Sequence, residues 1–221
     1  MIPIKDNLYK RKTPLITYLL IGLNTFIFLY QLGLNHYQLQ VLFYQYGLVP
    51  AFLTDPGLAA RYGLEVSFLL PFISSTFLHA NLGHLLGNMW ALWIFGDDIE
   101  DYLGHFRYLI FYLATGAGAG VIHLITNLNS TVPTIGASGA VAGLMGAFFI
   151  LYPRAKIAAL VPIFFFFTMI NIPAFFYLGI WFLIQLYYGA ATLGADLAGG
   201  IAWWAHVGGF LLGIFLLRYF R

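Results

Sequence analysis

The chain has 221 residues, of which 61% are hydrophobic, 19% aromatic and only 8% charged. A soluble globular domain carries about a quarter charged residues, so this composition argues for a membrane protein, one domain over 1–221, with room for several spans of about 20 residues each. The net charge of +2 is small and sits at segment ends, which argues against nucleic-acid binding, and the absence of cysteine rules out a disulfide framework, a thiol nucleophile or a cysteine metal site.

Residues 1–13 are polar and hold Lys5, Lys10, Arg11 and Lys12. The apolar run 14–34 is too long for the core of a signal peptide and shows no small-residue cleavage site. It reads as an uncleaved first transmembrane helix with the N-terminal segment in the cytoplasm. Residues 35–75 form a mixed first extracytoplasmic loop, rich in Tyr, Phe and Leu and broken by Pro50, Asp55-Pro56-Gly57 and Pro71. Its aromatics suit the headgroup zone, with short interfacial helices. A second span, 81–95, ends in Asp97, Asp98, Glu100 and Asp101, an acidic cluster that reads as a solvated helix end. A third covers 106–125. A polar link, 126–134, leads to Gly136-Ala137-Ser138-Gly139 and a fourth span that ends near Tyr152. The stretch 157–170, bracketed by Pro162 and Pro173, reads as an interfacial connector, its Phe164–Phe167 run facing lipid. A fifth span, 173–188, a small-residue loop, 189–200, and a sixth span, 201–219, complete the chain.

The expected fold is therefore all-α, a bundle of six transmembrane helices. Nine of the ten Lys and Arg residues, all except Arg61, fall on the side of the termini, so both termini are expected in the cytoplasm. Gly83/Gly87, Gly116/Gly120, Gly139/Gly143 and Gly209/Gly213 are each four apart. Such pairs let helix backbones approach closely in lipid and predict a tight bundle of the second, third, fourth and sixth spans.

Polar residues within these spans are the functional candidates, because polar groups at bilayer depth face the interior and often mark function. His84 and Asn88 share one helical face. Ser138 stands between glycines at the start of the fourth span, and His206 near the start of the sixth. A serine hydroxyl needs a base to take its proton, which histidine can supply, and a tetrahedral oxyanion needs preorganised donors. His84, Asn88 and the Ser138 amide could provide them. No third acid for a triad stands out. Asp196 is the only carboxylate near His206 in sequence, and it lies in a loop, so a Ser–His dyad is expected.

With these residues the chain resembles the rhomboid intramembrane serine proteases. The resemblance rests on His79…His84-x-x-x-Asn88, Gly136-x-Ser138-Gly139 and Ala205-His206-x-x-Gly209-x-x-x-Gly213. It implies that Ser138 is the nucleophile, His206 the general base, and His84, Asn88 and the Ser138 amide the oxyanion hole. It implies supporting roles for His79, Gly136, Gly139, Gly209 and Gly213, and a Glu100 that ties helix ends together. It implies transmembrane protein substrates, cut near the extracytoplasmic surface after passing between the second and fifth spans, here those bearing Trp90 and Trp181. It implies neither a cofactor nor a metal, and leaves the oligomeric state open. A bacterial plasma membrane is the expected setting. Two features depart from the family: Leu69-Leu70-Pro71-Phe72 stands where many members have Trp-Arg, and Ala142 where some have a tyrosine stacked on the histidine.

Plainer readings stand beside these. Ser138 could be a packing residue, His206 a buried histidine, and His84 with Asn88 interhelical glue. His36, His105 and His123 read as interfacial or loop residues. A zinc site from His79, His84 and His206 is conceivable, but no recognisable metal signature is present. A non-catalytic rhomboid-like protein that binds transmembrane clients is the alternative function. A transporter would need charged groups near mid-membrane, which the sequence lacks.

Overall fold

The computed structural model describes residues 1–163, 166–192 and 201–220. Residues 193–200, which hold Asp196 and most of the small-residue loop 189–200, lie outside the described residues, as do Phe164, Phe165 and Arg221. The chain opens with a short strand, β1 (Ile2–Lys5), and the long helix α1 (Leu15–Leu32). Four short helices follow: α2 (His36–Tyr46), α3 (Pro50–Thr54), α4 (Pro56–Arg61) and α5 (Pro71–Ser74), then a 3-10 turn at Ser75–Phe77. The core helices are α6 (Leu82–Leu103), α7 (His105–Thr126) and α8 (Ser138–Leu151). Strands β2 (Lys156–Ile163) and β3 (Phe166–Pro173) lead to α9 (Ala174–Ala191) and α10 (Trp203–Phe220).

Among the described residues four helices, α1, α7, α9 and α10, are long and apolar enough to cross a membrane. Their outward faces are apolar: on α1 they carry Leu19, Leu23, Phe26 and Leu29, all exposed. The inward face of α1 carries Leu20 and Phe28 together with three polar residues. Thr17, Asn24 and Gln31, seven apart, are all buried. Placing the polar residues inward is what a lipid solvent requires, since polar groups must find partners inside the protein. Gln31 donates to the carbonyl of His79 (2.7 Å) and accepts from its amide (3.1 Å).

The start of α1 meets the end of α6 in the same way. Pro14 precedes the first turn and supplies no side-chain cap. The buried Glu100 carboxylate takes that place, accepting from the amides of Ile16 and Thr17 and from the Thr17 hydroxyl, each at 2.8 Å. A carboxylate at a helix N-terminus satisfies orphan donors and complements the helix dipole. His105, the first residue of α7, stands 2.5 Å from the same carboxylate. It belongs to this junction, not to a free loop as its position in the chain suggests.

At the centre lies α8, buried from Gly139 through Phe148. It packs on α10 backbone to backbone. A Cβ at Gly209 would collide with the Gly139 carbonyl, one at Gly213 with the Gly143 carbonyl, and one at Gly146 with the Phe210 carbonyl. Gly116 and Gly120 on α7 are also tight, against Ala140 and Thr76 and against Phe72 and Leu48. The Gly83/Gly87 pair differs: a side chain at Gly87 would meet open space and one at Gly83 only Asn81. These two glycines line a cavity and do not join helices.

The stretch expected as an interfacial connector forms an antiparallel hairpin, β2–β3, and β1 adds to it in the order β1-β2-β3. The all-α expectation is corrected by this sheet. The prolines fit it because Pro162 lies beyond the part of β2 that β1 covers, and Pro173 closes β3. Trp90 on α6 donates to the Pro3 carbonyl (2.6 Å), and Asn7 accepts from the Lys156 amide (2.7 Å), so the N-terminal segment is held at both sides.

Beyond the apolar part of α6, Asp97 and Asp98 are buried beneath this segment. Lys10 pairs with Asp97. Burial, with the charges of Asp6 and Asp97, pushes the Asp98 carboxyl up from 3.8 to about 8. The folded state thus holds this proton more tightly than the unfolded chain does. Its contribution is fully present below the unfolded value and is lost as pH rises through about 8.

Two outcomes are expected from thermal unfolding in detergent. Gly213→Ala forces α8 and α10 apart and lowers stability by about 1–3 kcal/mol. Asp98→Asn flattens the fall in unfolding temperature that wild type shows between about pH 5 and pH 8.

Candidate active site

The sequence around Ser138 places it by two devices. The amide of Gly136 donates to the Ser75 carbonyl (2.8 Å), and its φ of 121° turns the chain into α8. That conformation favours glycine. Ser138 is then the first residue of α8, where backbone amides have no intrahelical partner and the dipole favours negative charge.

On α6, Asn81 caps the helix by accepting from the His84 amide (2.9 Å). This sends His84 and Asn88 down one face towards Gly136. A Cβ at Gly136 would lie 2.6 Å from His84 Nε2 and 3.4 Å from Asn88 Nδ2. Two side-chain nitrogens therefore converge over the backbone two residues before Ser138, in space that only glycine leaves open. Asn88 is 7% exposed, and its Nδ2 has no partner among the described residues. A buried donor without a partner is costly and points to a ligand or water that it is built to meet.

From α10, the ring of His206 reaches across, and its Nε2 stands 2.9 Å from Ser138 Oγ. Its other nitrogen, Nδ1, lies 2.7 Å from Oε1 of Gln185 on α9. Among the described residues the ring nitrogens meet Ser138 and Gln185 and no carboxylate. Trp181, one turn before Gln185, lies over the ring at 6.0 Å between centroids. Gln185 was not among the sequence candidates. The available signal was a lone amide inside the apolar helix 174–191, which in lipid implies an inward partner.

Ser138, His206, His84 and Asn88 all line one cavity of about 720 Å³, a size typical of ligand pockets. Its lining gathers the starts of α6 and α8 and the approach to α10, with Asn81, Ser138 and Ala202 among it. His79 lies outside its lining. Its ring is fully buried, packs edge-on against His84 at 5.1 Å, and has no hydrogen-bond partner among the described residues, while its backbone is held by Gln31. His36 begins α2 and is exposed. His123 departs from its loop expectation. It is buried on α7, 2.7 Å from the Thr134 hydroxyl, and so anchors the link that leads to Gly136.

A profile of the Rhomboid domain matches residues 67–221, well over half of the chain and all four cavity residues. The chain belongs to the rhomboid family. Rhomboid relatives include Rhomboid protein 1, mitochondrial, of Saccharomyces cerevisiae, 31% identical over 156 residues, which cover 67% of this chain and 41% of that protein. The human Presenilin-associated rhomboid-like protein, mitochondrial, is 29% identical over 157 residues, covering 67% of this chain and 37% of that one. Rhomboid-like protein 11, chloroplastic, of Arabidopsis thaliana is 42% identical over 73 residues, 33% of this chain and 26% of that protein. The chain thus spans well under half the length of these rhomboid relatives. It is an integral membrane protein, and the organelle designations of these relatives lend no support to the expected bacterial plasma membrane.

Gly136→Ala is expected to push His84 out of the cavity and to cost about 1–3 kcal/mol through backbone strain. Unfolding in detergent, with His84 ring signals followed by NMR, checks both effects.

Proposed function

We propose that the chain is an intramembrane serine endopeptidase that cleaves transmembrane-helix substrates near the extracytoplasmic surface. The observation that carries this reading is the 2.9 Å approach of His206 Nε2 to Ser138 Oγ. Membership of the rhomboid family supports it. Ser138 Oγ attacks the scissile carbonyl carbon while His206 Nε2 takes the hydroxyl proton. His84, Asn88 and the Ser138 amide stabilise the oxyanion. His206 then gives its proton to the departing amine, and water taken up by the cavity hydrolyses the acyl-enzyme in the reverse sense.

Depth follows from helix length. We count six spans: α1, α6, α7, α8, α9 and α10, with both termini on the cytoplasmic side. The 14 residues of α8 extend about 21 Å, against a hydrocarbon core of about 30 Å. A helix that reaches the cytoplasmic boundary therefore starts below the outer one, and Ser138 with it. Water must enter from that side, where Asn81 and Ala202 line the cavity. Gly139, Gly209 and Gly213 hold α8 and α10 at the separation the dyad needs, and Glu100 fixes α6 to α1. His79 supports the His84 ring from behind.

Cleavage of a transmembrane reporter in liposomes, with mapped products, tests the reading. Ser138→Ala and His206→Ala are each expected to abolish cleavage, and activity equal to wild type in either would overturn it. His84→Ala or Asn88→Ala is expected to lower kcat by about 10²–10³-fold, the typical effect of removing one oxyanion donor. Labelling by a serine-reactive phosphonate, lost in Ser138→Ala, separates the protease from a client-binding rhomboid-like protein.

A further inference from the structure

The imidazole of His206 can serve Ser138 only in one of its two neutral forms. Nε2 must carry the lone pair and Nδ1 the proton. In a triad a carboxylate selects that form by accepting from Nδ1. Here an amide stands in that position. Gln185 is 5% exposed and its Oε1 lies 2.7 Å from Nδ1. Its amide nitrogen lies 3.3 Å from the Trp181 carbonyl, one turn earlier on α9. The second contact fixes the direction of the first. Trp181 O can only accept, so it takes the NH₂ end of Gln185 and leaves Oε1 towards the ring. Oε1 can only accept in turn, so Nδ1 must donate. The chain of donors thus runs from Ser138 Oγ to His206 Nε2, from His206 Nδ1 to Gln185 Oε1, and from Gln185 to Trp181 O.

We propose that Gln185 is a positioning residue that holds His206 in the tautomer and ring orientation able to take the Ser138 proton. The inference rests on the protease reading for its catalytic consequence, but the tautomer itself is a property of the resting protein. It also answers the position of Ala142. With no tyrosine on α8 to stack on the ring, the support comes from α9, through Gln185 at the ring edge and Trp181 over its face. One mechanical consequence follows. Gln185 and Trp181 ride on α9, so a tilt of α9 away from α10 breaks the Nδ1 contact and releases the ring.

The test uses the full chain in detergent micelles and liposomes with ring-¹⁵N histidine labelling. Gln185→Leu and Gln185→Met remove the acceptor oxygen, and Gln185→Glu keeps one at the same reach. Wild type is expected to show His206 protonated on Nδ1 alone. Gln185→Leu should show a mixture of tautomers and a kcat lower by about tenfold or more, the loss of one buried hydrogen bond, with KM changed less than about twofold. Gln185→Glu should recover most of both. Gln185→Met carries the same comparison if Gln185→Leu does not fold. A wild-type tautomer and wild-type kcat in the folded Leu or Met variant overturn the inference while leaving the protease reading intact. A wild type that shows the Gln185-dependent tautomer yet cleaves no reporter upholds the inference and removes the protease reading.

Discussion

The contact of α8 with α10 is the constraint on which the site depends. Lipid offers no hydrophobic drive to bring helices together, so their approach rests on packing and on bare backbone. Gly209 and Gly213 lie directly on the carbonyls of Gly139 and Gly143. Ser138 adjoins the first of these residues in sequence, and His206 precedes Gly209 by less than one turn. The same glycines that remove side chains from the interface therefore fix the distance between the hydroxyl and the imidazole. Any side chain that widened the interface would move both.

Around this contact the core is apolar, but α1 adds buried polar groups to it. Thr17, Asn24 and Gln31 on α1 face inward, while leucines and Phe26 face out. Two of the three are tied to junctions, Thr17 to Glu100 at one end of the bundle and Gln31 to the His79 backbone at the other, while Asn24 donates to the Leu20 carbonyl of its own helix. The second junction holds the turn from which α6 departs, and so aims His84 and Asn88. The path from Gln31 to the donors over Gly136 is thus continuous.

Much of this is legible in the residues themselves. The glycine spacings on α7, α8 and α10 announce close packing, and the placing of Ser138, His206, His84 and Asn88 near helix starts brings them to one depth. Other features are not legible. The hairpin of β2 and β3 carries no polar alternation, because β3 bears exposed Phe166, Phe167 and Met169 where a water-facing strand would be polar. Its partner β1 comes from the far end of the chain, a pairing that local pattern does not encode. Gly83 and Gly87 show the opposite failure: their spacing is that of a packing pair, yet the space beside them is cavity. Gln185 is a single amide in an apolar run, and its partner lies across a connection that no short-range signal spans.

Helix α6 joins two polar sites, the cavity near its start and the buried Asp97 and Asp98 near its end. From His84 to Asp98 the helix advances about 21 Å, from the cavity to the buried carboxylates beneath the N-terminal strand. With α6 counted as a span, as proposed above, the cavity imidazoles and Asp98 with its neighbours would face opposite compartments. A proton gradient across the membrane would then act on the cavity and on the anchoring of β1 independently, so that acidifying one compartment would leave the opposite end of the same helix chemically unaware.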